Sequence, residues 1–123
     1  MAIPSGSGTE VIGSKLTTLV TNSYQDIIPQ LNNANKLIIV LSVMIHETSG
    51  AARNFIWRVS DNDGSSNLHY IYQEGGSSSN VTSGDTFIHN DKFCIVGDKR
   101  LMMYGVAGSD FDVTATYIIQ DWT

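Results

Sequence analysis

Alternation of apolar and polar positions near the C-terminus predicts a long strand. The apolar residues of one parity are Phe111, Val113, Ala115, Tyr117 and Ile119. Polar side chains lie between them, and Ile118 is the exception. A period of two is expected of a strand with one buried face and one wetter face.

Short apolar runs at 87–88 and 93–96 precede that strand, with polar residues 89–92 between them. A second turn signal, from Gly97 to Arg100, is followed at once by the apolar run 101–104. Parallel strands need a long crossover, so short strands with short turns favour antiparallel pairing. We expect this region to form antiparallel hairpins that end in the C-terminal strand.

The segment from Lys36 to Glu47 predicts a strand that is apolar on both faces. One parity is fully apolar and consists of Leu37, Ile39, Leu41, Val43 and Ile45. The other parity adds Ile38, Val40 and Met44 to polar residues. A strand with one solvated face should not carry three such side chains outward. Either both faces are covered within the domain, or the second face contacts another chain.

Further strands are predicted at 15–21, 54–60 and 68–72, and residues 24–28 fit either a short strand or one helical turn. Asp61-Asn62-Asp63-Gly64 predicts a tight turn between two of these strands. The chain has no convincing helix. The pattern therefore predicts an all-β fold, an antiparallel β-sandwich or jelly roll of about eight strands.

The first fourteen residues contain Pro4 and three glycines but few apolar groups, and so cannot form a core of their own. We expect an extended N-terminal arm at 1–14 and a single β-sandwich domain at 15–123. The arm is either a frayed terminus or a segment that becomes ordered against a neighbouring subunit.

Composition narrows the possible functions. The chain has 123 residues, a net charge of −5 and 41% hydrophobic residues, which fits one folded domain. Basic residues cluster only at Lys99-Arg100, which disfavours binding of nucleic acid. No apolar run approaches the ~20 residues of a membrane helix, and the N-terminus lacks a secretory signal pattern. These features predict a protein made in the cytoplasm, with no nucleic-acid or membrane partner.

Candidate chemistry is sparse. The chain has one cysteine, which excludes an internal disulfide, and Cys94 among apolar neighbours predicts a small buried side chain. The three histidines lie on separate predicted strands or turns, and no nucleophile-elbow motif is present. Asp61 to Gly64 resembles the start of a calcium loop but lacks its further ligands, so a plain turn is expected. We predict no enzyme, metal site or cofactor.

Aromatic residues offer one alternative. Trp57, Tyr70, Tyr72 and Trp122 could form a platform that stacks on sugars. Trp57 shares its parity with Phe55 and Val59, and Tyr70 shares its parity with Leu68 and Tyr72, so packing is the expected role of both residues. Trp122, near the end of the chain, would either clamp the last strand or contact a partner.

Three segments carry a resemblance to known proteins. They are Met1 to Val11, Gly84 to Ile95 with Gly97-Asp98-Lys99, and Tyr117 to Trp122. Together they resemble small virion proteins of tailed bacteriophages, especially marine and cyanobacterial phages. The resemblance implies a virion structural protein, and no binding residue is transferred from the family.

Combined with the residue pattern, the resemblance implies a capsid decoration (cement) protein. It would be made in the host bacterial cytoplasm and would sit on the capsid surface as a trimer bound to the major capsid protein. The residues predicted to contact another subunit or the capsid are Ile3, Pro4, Val11, Ile38, Val40, Met44 and Trp122. Alternatives are a tail or fibre-associated protein that touches the host surface and, in another class, a carbohydrate-binding module.

Overall fold

The structure, a computed structural model, describes residues 8–20, 23–64, 67–72, 79–82, 84–105 and 110–121. These residues form ten strands and no helix. The strands are β1 (Thr9–Val20), β2 (Tyr24–Asp26), β3 (Lys36–Glu47), β4 (Arg53–Asp61), β5 (Asn67–Tyr72), β6 (Ser79–Val81), β7 (Thr86–His89), β8 (Phe93–Val96), β9 (Lys99–Gly105) and β10 (Asp110–Asp121). Since no helix is present among them, the described residues include no helical membrane span.

The strands form two antiparallel sheets that pack face to face, which confirms the predicted β-sandwich. The β1 sheet has the order β1-β10-β3-β7, and β8 also pairs with β3. The β2 sheet has the order β2-β9-β4-β5, and β6 also pairs with β4. Pairing of the first strand with the last joins the two ends of the described chain in one sheet.

The core lies between the sheets and contains a cluster of aromatic rings. The ring of Phe55 packs edge-on against Phe111 and Phe87, with centroid distances of 6.0 and 5.4 Å. Trp57 is fully buried and packs against His89 and Phe93 at 5.1 and 5.7 Å. Such edge-to-face contacts stabilise the core beyond their buried area. The predicted role of Trp57 in packing is thus confirmed.

The sequence predicted an extended N-terminal arm at residues 1–14, but the structure places residues 9–14 in the first strand. β1 begins at Thr9 and pairs residue by residue with β10 up to Val20. Gly13 allows this pairing because the ring of Tyr117 lies over it, and a Cβ there would come within 2.9 Å of that ring. The first residues of β1 have few apolar side chains, and they form a strand because each of them pairs with a residue of β10. Residues 1–7 lie outside the described part of the chain.

A β-bulge in β3 overturns the predicted faces of that strand. Its register with β10 shifts between Ser42, which is opposite Thr116, and Val40, which is opposite Tyr117. Leu41 is the additional residue, so the strand changes parity there. The inward residues are Ile38, Val40, Val43 and Ile45, all with no exposed surface. The fully apolar face predicted from the sequence is therefore divided between two sides of the sheet.

Residues 86–96 do not form a hairpin. β7 pairs with one half of β3 and β8 with the other half, both antiparallel, so they lie end to end as one interrupted strand. The turn after β8 leads into β9 in the opposite sheet. Gly97 is required in that turn, since a Cβ there would collide with the Asn33 carbonyl oxygen. The sequence of these short segments could not show which strand each one pairs with, because alternation specifies the faces of a strand and not its neighbours in the sheet.

Candidate interaction surface

The outward side of the β1 sheet carries apolar side chains in two rows that cross all of its strands. Strand register places opposite residues side by side on one face of the sheet. The first row is Ile12, Ile118, Ile39 and Cys94. The second row is Leu16, Met44 and Ile88, with the polar Thr114 of β10 between Leu16 and Met44. We call these two rows the apolar outer face.

Much of the apolar outer face is open to solvent. The exposed fractions are 78% for Leu16, 73% for Ile12, 53% for Ile88 and 44% for Met44. Scattered apolar residues at a protein surface are common, but contiguous apolar patches mark sites of interaction. Here the exposed side chains come from β1, β3 and β7, so the apolar residues extend across the whole sheet in two rows, with the polar residues Ser14, Thr116 and Ser42 between them.

Polar residues border the apolar outer face at both ends. At one end the Thr18 hydroxyl donates to Asp112 at 3.3 Å, and His46 is 2.9 Å from the Thr86 hydroxyl. At the other end the Gln120 amide donates to a carboxylate oxygen of Glu10 at 2.7 Å. Exposed apolar residues enclosed by a hydrogen-bonded polar rim are typical of a protein–protein interface.

The structure separates the predicted contact residues into three groups. Met44 lies on the apolar outer face, and Val11 is 59% exposed but lies on the opposite side of β1 from Ile12. Ile38 and Val40 are core residues with no exposed surface, which corrects their prediction as contact residues. The β-bulge at Leu41 is the reason, because it turns this part of β3 toward the core. Ile3, Pro4 and Trp122 lie outside the described residues.

Cys94 is exposed, so its prediction as a buried side chain is wrong. It alternates with Ile95, whose side chain enters the core, and therefore points to the apolar outer face. The run of apolar neighbours suggested burial because the sequence does not show which parity faces inward.

Glu47, at the end of β3, is a buried carboxylate that no sequence pattern indicated. Only 1% of its surface is exposed. It accepts hydrogen bonds from the Ser49 backbone and hydroxyl groups, from the Gly50 N–H at 3.2 Å and from the Gly84 N–H at 3.1 Å. Burial raises the pKa of this carboxyl, but the hydrogen bonds from Ser49, Gly84 and Gly50 outweigh that effect and lower the pKa to about 2. Glu47 therefore joins two loops and needs no catalytic explanation.

The outward side of the β2 sheet is held by charged and aromatic contacts. The Arg58 guanidinium lies 3.4 Å from the centroid of the Tyr24 ring and donates to the Gly64 carbonyl oxygen at 3.0 Å. Arg100 makes a two-point ion pair with Asp26, at 2.9 and 2.6 Å. Arg58 is largely buried, because only 6% of its surface is exposed. These contacts fix the β2 sheet and leave no comparable apolar patch among its described residues.

The histidines are distributed over both sheets. His46 lies on the rim of the apolar outer face, His69 lies on β5 of the other sheet, and His89 packs on Trp57 in the core. In the part of the chain that is described, no three His, Cys, Asp or Glu side chains form a group suited to a metal ion. The Asp61–Gly64 segment forms the predicted turn, in which the Gly64 N–H donates to the Asp61 carbonyl oxygen at 2.9 Å.

The aromatic platform does not form as the sequence alternative requires. Trp57 has no exposed surface, and Tyr70 is 40% exposed. The side chain of Tyr72 and all of Trp122 lie outside the described residues. Trp57 therefore cannot stack on a sugar. Tyr70 is exposed, so its prediction as a packed side chain is wrong.

Comparison with known proteins supports the fold alone. No protein-family model and no curated protein matches the chain. Among solved structures, a subunit of Bacillus endospore appendages, which form a family of disulfide-linked pili, has a similar fold with a TM-score of 0.58. The match covers 100% of this chain and 97% of that chain, at 11% identity. At this identity the two proteins share an architecture, and function does not follow from the match.

Proposed function

We propose that this protein is a non-enzymatic structural subunit that docks its apolar outer face on another protein chain in a larger assembly. The observation that carries the proposal is the exposure of Ile12, Leu16, Met44 and Ile88 across one sheet. At about 25 cal/mol per Å² of apolar surface removed from water, covering this patch would stabilise an attached subunit. The endospore appendage subunit with a similar fold forms pili, and a structural role for this chain is consistent with that likeness.

Within this class we propose the capsid decoration role implied by the resemblance to phage virion proteins. The partner is then the major capsid protein, and the location is the capsid surface. A tail or fibre-associated subunit would use the same face but would be present in few copies. Quantitative mass spectrometry of purified particles distinguishes the two by the number of copies per particle. A decoration protein should be present in many copies, comparable to the number of repeating positions on the capsid.

Two matched substitutions test the docking face. Ile88→Asp places a charge at the β7 end of the second row of the apolar outer face, while Thr86→Asp places the same charge on its polar rim, two residues away on β7. Because a charge is costly to bury in an apolar contact, Ile88→Asp should abolish co-sedimentation with capsids and Thr86→Asp should preserve it. Both side chains are exposed, so both variants should stay folded by circular dichroism. Equal binding by the two folded variants would refute docking through this face.

A further inference from the structure

The first strand leaves one long edge without a strand partner. Among the described strands, β1 pairs only with β10, and that pairing runs over twelve residues with no register shift. The other edge of β1 therefore presents a row of backbone N–H and C=O groups to which a further strand could bind.

The other described edges are poor templates for pairing. β2 and β6 have three residues each, and β7 and β8 have four each. β5 has six residues, but its register with β4 shifts twice. Short and bulged strands are devices by which proteins protect sheet edges. β1 is the long and regular edge of the described structure, and its exposed Ile12 and Leu16 offer little protection.

We propose that two copies of this chain pair through β1, antiparallel, about a two-fold axis at Ser14, in place of the trimer that the resemblance implies. In this register Leu16 lies opposite Ile12 of the second copy, and Ile12 lies opposite its Leu16. Both are exposed on the outward side of β1, so the pairing places apolar groups side by side. Glu10 lies opposite Thr18 of the second copy and Lys15 opposite its Gly13, so no two charged side chains are directly opposite.

Neighbouring registers fit less well. An axis at Gly13 places Leu16 opposite Glu10 and Ile12 opposite Ser14. An axis at Lys15 places the two Lys15 ammonium groups directly opposite each other, which is unfavourable. A shift that pairs residues of unlike parity places outward side chains beside inward ones. The register about Ser14 is thus selected by the sequence of β1 itself.

The dimer would have a continuous outward surface. Each copy contributes the path β1-β10-β3-β7, so the joined sheet crosses from β7 of one copy to β7 of the other. The apolar outer faces of the two copies then meet along β1, where Ile12 and Leu16 lie. Pairing through this edge does not depend on what docks on the face of the sheet.

Single-cysteine variants in a Cys94→Ser background test the register. Ser14→Cys places two thiols opposite each other on the axis, where the Cβ separation of about 5 Å lies close to that of a disulfide. Mild oxidation should link most of this variant into a dimer on non-reducing gels. Thr18→Cys is the matched control, because its two introduced thiols would be eight residues apart along the strands, about 27 Å, and should not link. An equal mixture of Glu10→Cys and Thr18→Cys proteins should link to each other.

Light scattering of the wild-type protein gives an independent readout. One chain has a mass of 13.4 kDa, so the dimer has twice that mass, 26.8 kDa. A single-chain mass at about 100 μM, where even a modest affinity fills the dimer, would overturn the proposal. Linking of the Thr18→Cys protein to itself, in place of the Ser14→Cys protein, would overturn it as well.

The outcomes also separate this dimer from the proposed docking function. Loss of capsid binding by Ile88→Asp, with retained linking of the Ser14→Cys protein, would uphold both proposals. Retained capsid binding by a Ser14→Cys protein that does not link would refute the dimer alone.

Discussion

At the scale of single residues, the least predictable feature is the burial of Glu47. A glutamate at the end of an apolar strand suggests an exposed strand end, yet this carboxylate is covered by loops from two parts of the chain. Its partner Gly84 is 37 residues away in sequence. No local pattern encodes a hydrogen bond of that separation, so only the assembled fold shows the contact.

The pKa of Glu47 predicts a dependence of stability on pH. Because its pKa is about 2 in the folded protein and ordinarily 4.5, the unfolded chain binds a proton first as the pH falls. The stabilisation from this carboxylate is complete above pH about 4.5 and is lost on acidification toward pH about 2. Glu47→Gln should therefore be less stable than wild type at pH 7, and the difference should shrink across that interval.

Urea unfolding midpoints measured between pH 2 and pH 7 would check this expectation. Glu10→Gln, a change of the same kind at an exposed position, is the control and should remain near wild type at pH 7. A constant difference between Glu47→Gln and wild type at every pH would contradict the assignment.

At the scale of elements, β3 shows how one extra residue changes the meaning of a pattern. The sequence correctly predicted a strand here with apolar residues on both faces. It could not locate the bulge at Leu41, because the register shift appears only when β3 is aligned with β10. The pattern left open whether the second face of β3 is covered within the domain or contacts another chain. Ile38 and Val40 are covered within the domain, and Met44 stays exposed.

Two substitutions in β3 should have opposite outcomes. Val40→Asp buries a carboxylate with no exposed surface and should destabilise the fold by more than about 4 kcal/mol, which is enough to unfold many domains of this size. Met44→Asp adds the same charge at a position that is 44% exposed and should change stability by about 1 kcal/mol or less. Circular dichroism with urea unfolding compares them. A folded Val40→Asp protein of wild-type stability would show that the inward face is assigned wrongly.

At the scale of the whole molecule, the fold depends on the pairing of its first and last strands. Deletion of residues 1–13 removes five of the twelve β1–β10 pairs, those of Thr9 to Gly13. The thermal midpoint should fall by about 5 °C or more, because the side of β10 that faces β1 then loses its partner there. Deletion of residues 1–7 keeps every pair and is the control. If scanning calorimetry gives equal midpoints for both deletions, the segment from Thr9 to Gly13 does not contribute to the fold.

The sequence by itself determined most of the strands, several turns and the β-sandwich class, because alternation and turn residues act over a few neighbouring positions. Only the tertiary structure decided the order of the strands, the extension of β1 to Thr9, the bulge at Leu41 and the burial of Glu47. These features depend on partners far apart in the chain, as in the bond between Gln120 and Glu10, which are separated by 110 positions. Local pattern specifies which residues alternate, and long-range pairing specifies which side of each strand meets water.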